Sequence, residues 1–302
     1  MKAKLIPVLA GVTAIAVALA QGPLSPPAGP PAPVMKTLDQ IEARTPISSL
    51  PFTISAPGSY YLTGNLHFTA TTGSAISIQT GNVTLDLNGF TLSSATGVTG
   101  DAILSGGLYS DIEIRNGCIK GTTTVNPGGP QTAWTVNRGG FGNGIKMNSN
   151  HLVLQRLRIS GCRTHGIDNL NQIVFIDQVT VMQCGSHGIL ALDGVVTNSI
   201  ASRNGGNGFY DVQSARNCWA GENGGQGISG QDASHCTATL NFGDGINTRS
   251  ASYCTAGQNG EDGIEASGVV CFSRAHGSNQ QGTGGTEIRA SATIRTGNNP
   301  AP

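Results

Sequence analysis

Charge is what this chain has least of. Only 11% of its 302 residues are Asp, Glu, Lys or Arg, where soluble domains average about 25%. Lys plus Arg and Asp plus Glu each number 17, so there is neither a basic field to hold a phosphate backbone nor an acidic tail to seek a basic partner. Nucleic acid is therefore excluded as an expected partner. Long apolar runs are almost missing as well: the one that exists, Leu5 to Ala20, has sixteen residues, short of the roughly twenty a membrane span needs. No Cys precedes Cys118, which leaves that run without a lipid attachment point.

What is present begins with Lys2 and Lys4, the apolar run, and small residues with Ala18 and Ala20 in A-x-A phase. This is the pattern of a secretory signal peptide, residues 1–20, with cleavage after Ala20, and it predicts a secreted or cell-surface protein with no membrane span after processing. Residues 21–34 hold six prolines and no charge, a stiff solvated spacer. Gly, at 44 residues, is about twice its usual share.

The glycines keep time. Gly144, Gly166, Gly188, Gly208, Gly227, Gly245 and Gly263 each precede Ile or Phe, at intervals of 22, 22, 20, 19, 18 and 18 residues. Four residues before them, from Gly166 on, stand Cys162, Cys184, Asn204, Asn223, Asn241 and Asn259. Five residues earlier again stand Leu157, Val179, Ser199, Cys218, Cys236 and Cys254. Within each repeat the apolar residues alternate, as in Leu152, Leu154 or Val179, Val181, which marks half-buried strands. About twenty residues with two or three short strands form one rung of a parallel β-helix. Asn at the corner can bond the bend's backbone, accept a left-handed φ, or bond its stacked neighbours in a ladder.

Two inward columns follow: Leu154, Ile176, Val196, Ala215, Ala233, Ala251, and Ile159, Val181, Ala201, Ala220, Ala238, Ala256. Their side chains shrink as the rung shortens, as constant packing density requires. The cysteines follow the repeat too, so Cys218, Cys236, Cys254 and Cys271 read as one buried column, although cross-rung disulfides are within reach of stacked strands. In all, the expectation is an all-β, single-stranded parallel β-helix of about nine rungs over residues 73–276. A cap over 35–72 precedes it, with a short helix at Thr37 to Arg44 and a strand pair in Phe52 to Leu66; a tail, 277–302, offers a last strand at Thr286 to Ile294. An insertion, 122–142, interrupts the coil between the second and third rungs.

The stretches FTISAPGSYYLTGNL and NVTLDLNGFTL, followed by serial NGGDGI-like corners, resemble exported bacterial right-handed parallel β-helix repeat proteins of the pectin-lyase-like superfamily. The resemblance spans about Phe52 to Ala275. It implies right-handedness and an association with polysaccharides, and the superfamily includes pectate lyases, polygalacturonases, alginate epimerases and tailspike-type glycosidases. Their site motifs are missing here: no Gly-His-Gly, Arg-Ile-Lys, Asp-Pro-His-Asp or Arg-x-Pro-x-x-Arg occurs.

Three constellations remain. Asp244, Glu261 and Asp262 sit on adjacent rungs, close enough to form an acid and nucleophile pair, although Asp244 and Asp262 are also natural corner residues. Cys162 with His165, and Cys184 with His187, repeat Cys-x-x-His one rung apart, a ligand set for zinc; a buried thiol column beside surface imidazoles explains them equally. The insertion carries Trp134, Arg138 and Phe141, able to cover a sugar ring and its carboxylate or to pack on the coil, and Trp219 faces outward as a further candidate. No cofactor is predicted, with zinc or calcium the ions such sites would take. The reading is a secreted polysaccharide-binding or structural module, with a polysaccharide lyase or glycoside hydrolase at the carboxylates as the rival.

Overall fold

A computed structural model of the chain describes residues 44–127, 134–169, 174–277, 288–290 and the backbone of 294–295. The expected signal peptide and spacer and nearly all of the expected short helix lie outside the described residues, among which there is no helix.

The strands fall into three columns, each built by parallel, in-register pairing from one turn to the next. The first column runs from Phe52–Ile54 through Ile76–Ile78, Ile103–Leu104 and Ile145–Met147 to Ile264–Ala266 and Ile288–Ala290. The second includes Gly58–Leu62, Val83–Asp86 and the middle of Ser149–Ser160; the third runs from Leu66–Phe68 to Arg274–His276. Ten complete turns result among the described residues, one more than the sequence count. Phe52–Ile54, Gly58–Leu62 and Leu66–Phe68, read as part of a cap, pair onto Ile76–Ile78, Val83–Asp86 and Thr91–Ser94 and so form the first turn. At the far end Ile288–Ala290 and Ile294–Arg295 open an eleventh as two strands in different columns rather than one.

Alternation decides which side chains enter the coil. Ile145, Ile167, Ile189, Phe209, Ile228, Ile246 and Ile264 stack in register and are fully buried. Each contributes about 1.5–3 kcal/mol of burial. The two tapering columns pair as expected, Ile176 on Val196 on Ala215 on Ala233 and Val181 on Ala201 on Ala220 on Ala238.

Polar ladders close the corners. Asn204, Asn223, Asn241 and Asn259 are fully buried. In each step an Asn amide N–H and side-chain Nδ2 donate to Oδ1 of the next turn's Asn, at 2.9–3.1 Å for Asn223 to Asn241. The left-handed residue is not this Asn but the one before it: Arg203, Glu222, Leu240 and Gln258 have φ of 51–58°. Of the three roles open to the corner Asn, the left-handed φ falls to its neighbour, while the side chain takes the ladder and also bonds backbone, as Asn223 Nδ2 does with Ala201 O. After Asn204 the stacking is close enough that a Cβ on Gly205 would lie 2.6 Å from the Gly185 carbonyl oxygen, whereas Phe242 takes the equivalent place after Asn241.

The cysteines are free thiols. Cys218, Cys236 and Cys254 form a buried column, but Cys271 does not join it. It pairs with Ser252, and the column is continued by Ser273, whose Oγ accepts the Cys254 amide at 3.1 Å. One extra residue between Tyr253 and Arg274, set against the spacing of the turns before, shifts the phase.

Candidate functional site

In every first-column strand the residue after the inward Ile or Phe points outward. In-register pairing therefore lines up Lys146, Asp168, Leu190 and Tyr210, then Ser229, Asn247, Glu265 and Arg289. Beside this row runs a second, made by the residue that precedes each corner Gly, with Ala102 in the place of Gly after the first: Asp101, Asn143, His165, His187, Asn207, Gln226, Asp244 and Asp262. Most of its side chains accept a backbone N–H from the next turn. Asn143 N donates to Asp101 Oδ1 at 2.7 Å, Asn207 N to His187 Nδ1 at 3.0 Å, and Asp262 N to Asp244 Oδ1 at 3.0 Å. Asp, Asn and His recur here because each places an acceptor a short reach from its backbone. Together the rows make one polar face with two concentrations of chemistry.

The first spans the fourth to seventh turns. His165, His187 and Tyr210 stack with ring centroids 5.2 and 4.4 Å apart. Burial, with Lys146 and Arg138 nearby, lowers the His165 pKa, and burial with His165 takes His187 down to about 4. Both Nδ1 atoms accept amide N–H bonds, so both rings are neutral with the proton on Nε2. Lys146 Nζ stands 3.8 Å from Asp168 Oδ2. Burial raises the Asp168 pKa against the opposing pull of Lys146. The result is a set of donors, Lys146 and the tyrosine and imidazole groups, around one half-neutralised carboxylate.

The second concentration closes the ninth and tenth turns. Oxygens of Asp244, Asp262 and Glu265 lie within 4.8 Å of one another. Asp244 Oδ2 accepts from Gln226 Nε2 at 2.9 Å and Asn247 Nδ2 at 3.0 Å, and Asn247 Nδ2 also reaches Glu265 Oε2 at 2.6 Å. Arg289 stands 3.2 Å from Glu265 and 3.8 Å from Asp262. Glu261 is exposed at the rim, its pKa raised by partial burial and by Asp244, Asp262 and Glu265. A recess of about 360 Å³ borders the cluster, lined by Asn247, Glu265, Ala266, Ser267, Arg289 and Ala290. Hard oxygen donors at this spacing suit a calcium-type ion. Of the three expected carboxylates, Asp244 and Asp262 gather while Glu261 stays at the rim; Glu265, Asn247 and Arg289, not singled out from the sequence, complete the group.

The other expectations fare differently. The Cys-x-x-His units do not make a zinc site: Cys162 and Cys184 are fully buried in the core, while the imidazoles turn outward onto Tyr210. The corner between strands, Ser160 to Ile167 in one turn and Met182 to Ile189 in the next, puts thiol and ring on opposite sides of the wall. Phe141 is no ligand platform either, being fully buried and stacked on Phe68 at 6.1 Å. Within the insertion, Thr124–Asn126 and Thr135–Asn137 form an antiparallel hairpin. Arg138 is committed to backbone carbonyls, those of Arg163 and Gly185, so it tethers the hairpin to the coil. The Trp134 ring packs on Gly224, where a Cβ would meet it at 3.2 Å. Trp219 remains outward and 36% exposed on the third column.

No family model matches the chain, and no curated protein sequence matches it. Solved structures do. The A-module of the mannuronan C-5 epimerase AlgE4 of Azotobacter vinelandii superposes with a TM-score of 0.58 at 16% identity, covering 74% of this chain and 70% of that one. The AlgE6 A-module from the same organism gives 0.51 at 16%, covering 78% and 68%. The catalytic domain of a GH87 alpha-1,3-glucanase in complex with tetrasaccharides gives 0.52 at 11%, covering 84% and 62%. The fold is a right-handed parallel β-helix. At these identities the likeness carries the β-helix's architecture and no site residue, so the polar face stands on its own geometry.

Proposed function

We propose that this β-helix is a secreted, non-catalytic polysaccharide-binding module whose first-column face takes an acidic chain across the fourth to seventh turns. One observation carries the reading. On that face the imidazole Nδ1 atoms hold backbone amides and the Asp168 carboxylate is buried beside Lys146, whereas the Lys146 side chain is about half exposed and Tyr210 38% exposed. Donors on an open surface fit the carboxylates and hydroxyls of a uronate polymer. Catalysis needs a free base instead, and neither imidazole has one to offer. Mannuronan, named for two of the similar structures, is a polymer of this class, whereas the alpha-1,3-glucan named for the third is neutral.

A second reading, a lyase or hydrolase at the carboxylates, is favoured by one feature: Glu261, its pKa raised, stands beside Asp262 as a candidate acid. Against it, both oxygens of Asp244 accept hydrogen bonds from amides of the fold. The test incubates the full chain with polygalacturonate and alginate and records both retention and new reducing or unsaturated ends. Retention without new ends, weakened about tenfold by Lys146→Ala and by salt, supports the binding reading. New ends that vanish in Glu261→Gln would replace it with the enzymatic one.

A further inference from the structure

The third column presents a different surface. Its inward residues are the alanines Ala201, Ala220, Ala238 and Ala256, and its outward residues flank them. Trp219 does not stand off this wall. A Cβ on Gly221 would fall 2.3 Å from the Trp219 Cζ2 and 2.6 Å from its Cη2, so the indole folds down over the bare glycine backbone and occupies the place a side chain would take. A second glycine is covered from the next turn: His276 pairs in register with Gly257, and its ring leans back over that glycine, with Cε1 2.8 Å and Nε2 2.9 Å from where its Cβ would be. Gly221 and Gly257 pair in register with Thr239 between them. The two covered glycines thus lie two turns of a parallel stack apart, roughly 10 Å.

Indole, threonine hydroxyls and imidazole thus follow one another along a wall that carries little net charge. Arg203 is matched by Glu222 at 2.9 Å, and Arg274 is the remaining outward ion among these turns. A ring laid on the backbone offers its exposed part to the C–H face of a pyranose, and hydroxyls between two rings offer partners to sugar hydroxyls. The geometry points to a second glycan-binding surface on the third column, centred on Trp219, Thr239 and His276, that takes an extended neutral polysaccharide. It shares no residue with the first-column face, and the scarcity of charge is why a neutral chain, rather than a uronate, is its occupant.

The chain has two tryptophans, so Trp134→Phe leaves Trp219 as the only indole reporter. In that background, hydroxyethyl cellulose is titrated into the full chain while Trp219 emission is followed, with affinity gels of the same polymer and of polygalacturonate run in parallel. The expected result is saturable quenching or a blue shift with the neutral polymer. Its retention should fall about tenfold in Trp219→Ala, recover in part in Trp219→Phe, and weaken in Gly221→Ala, which keeps the indole but lifts it from its seat. Polygalacturonate retention should be the same in all of these variants. Absence of neutral-polymer retention, or retention indifferent to Trp219→Ala in a protein with unchanged circular dichroism, overturns the assignment. Loss of polygalacturonate retention alone would count against the first-column reading and leave this surface standing.

Discussion

Truncating one member of the buried asparagine ladder should destabilise the coil by more than any surface change. The Asn241 side chain accepts from the Asn223 amide at 3.1 Å and from Asn223 Nδ2 at 2.9 Å, and it donates to Ala220 O at 3.2 Å and to Asn259 Oδ1 at 3.0 Å. In Asn241→Ala the Asn223 N–H is left in a fully buried site without its acceptor, at about 1–3 kcal/mol. The Asn223 Nδ2 group keeps Ala201 O, and Asn259 Oδ1 keeps the Asn241 N–H, so the other losses are partial, at about 1 kcal/mol each. The sum is about 4 kcal/mol. Asn241→Asp, nearly identical in shape, should cost more than the alanine, because it replaces the donor Nδ2 with an acceptor oxygen facing two carbonyl-type oxygens, Ala220 O and Asn259 Oδ1, and buries a charge with no cation. Asn223→Ala and Asn241→Ala both remove one bond, Asn223 Nδ2 to Asn241 Oδ1, so the double variant should cost about 1 kcal/mol less than the sum of the singles. Urea unfolding followed by far-ultraviolet circular dichroism measures all four. Additive singles, or an aspartate milder than the alanine, would refute the ladder as a source of stability.

Two further predictions follow from the site and the insertion. Because the folded-state pKa values of His165 and His187 are depressed, their contribution to stability is fully present above the unfolded value near 6.5 and is lost as pH falls toward about 4. For His187 the loss is about 3 kcal/mol before screening and roughly half that for a ring this exposed, and His187→Asn, which keeps an acceptor, should flatten the fall in unfolding midpoint between pH 7 and 4. Phe141→Ala should cost about 3–5 kcal/mol and speed proteolysis within the insertion; cleavage at the wild-type rate would contradict its burial against Phe68.

Much of the coil can be read from the residues because a solenoid repeats each physical constraint once per turn. Inward Ile145 to Ile264, the shrinking column Val181 to Ala256, and the Asn ladder each recur at the period, and the structure places them in register. Legibility ends where the period does. Cys271, 17 residues after Cys254, is one residue short of the 18-residue period, and the turn itself is one residue longer than that period, so the place in the thiol column goes to Ser273. Arg289 pairs with Glu265 at a separation of 24 residues, outside the 18-residue rhythm of the preceding turns, so nothing in the sequence phase joins it to the carboxylates. Phe141 lies in the insertion, where no neighbouring turn reveals which way a side chain faces.

The candidate site was harder to read for a different reason. Asp, Asn and His at the corner are selected twice, as acceptors for the next turn's amide and as groups a ligand could meet, and composition alone does not divide the two roles. The hydrogen bonds do. Asp244 spends both oxygens on the fold, and each stacked imidazole spends its Nδ1. What is left for a ligand is the part of each residue the ladder does not use: the imidazole Nε2–H groups, the Lys146 ammonium, the exposed Tyr210 and the rim carboxylate of Glu261. Three of these four are donors, which is why the face is better matched to recognising an acidic polymer than to abstracting a proton from one.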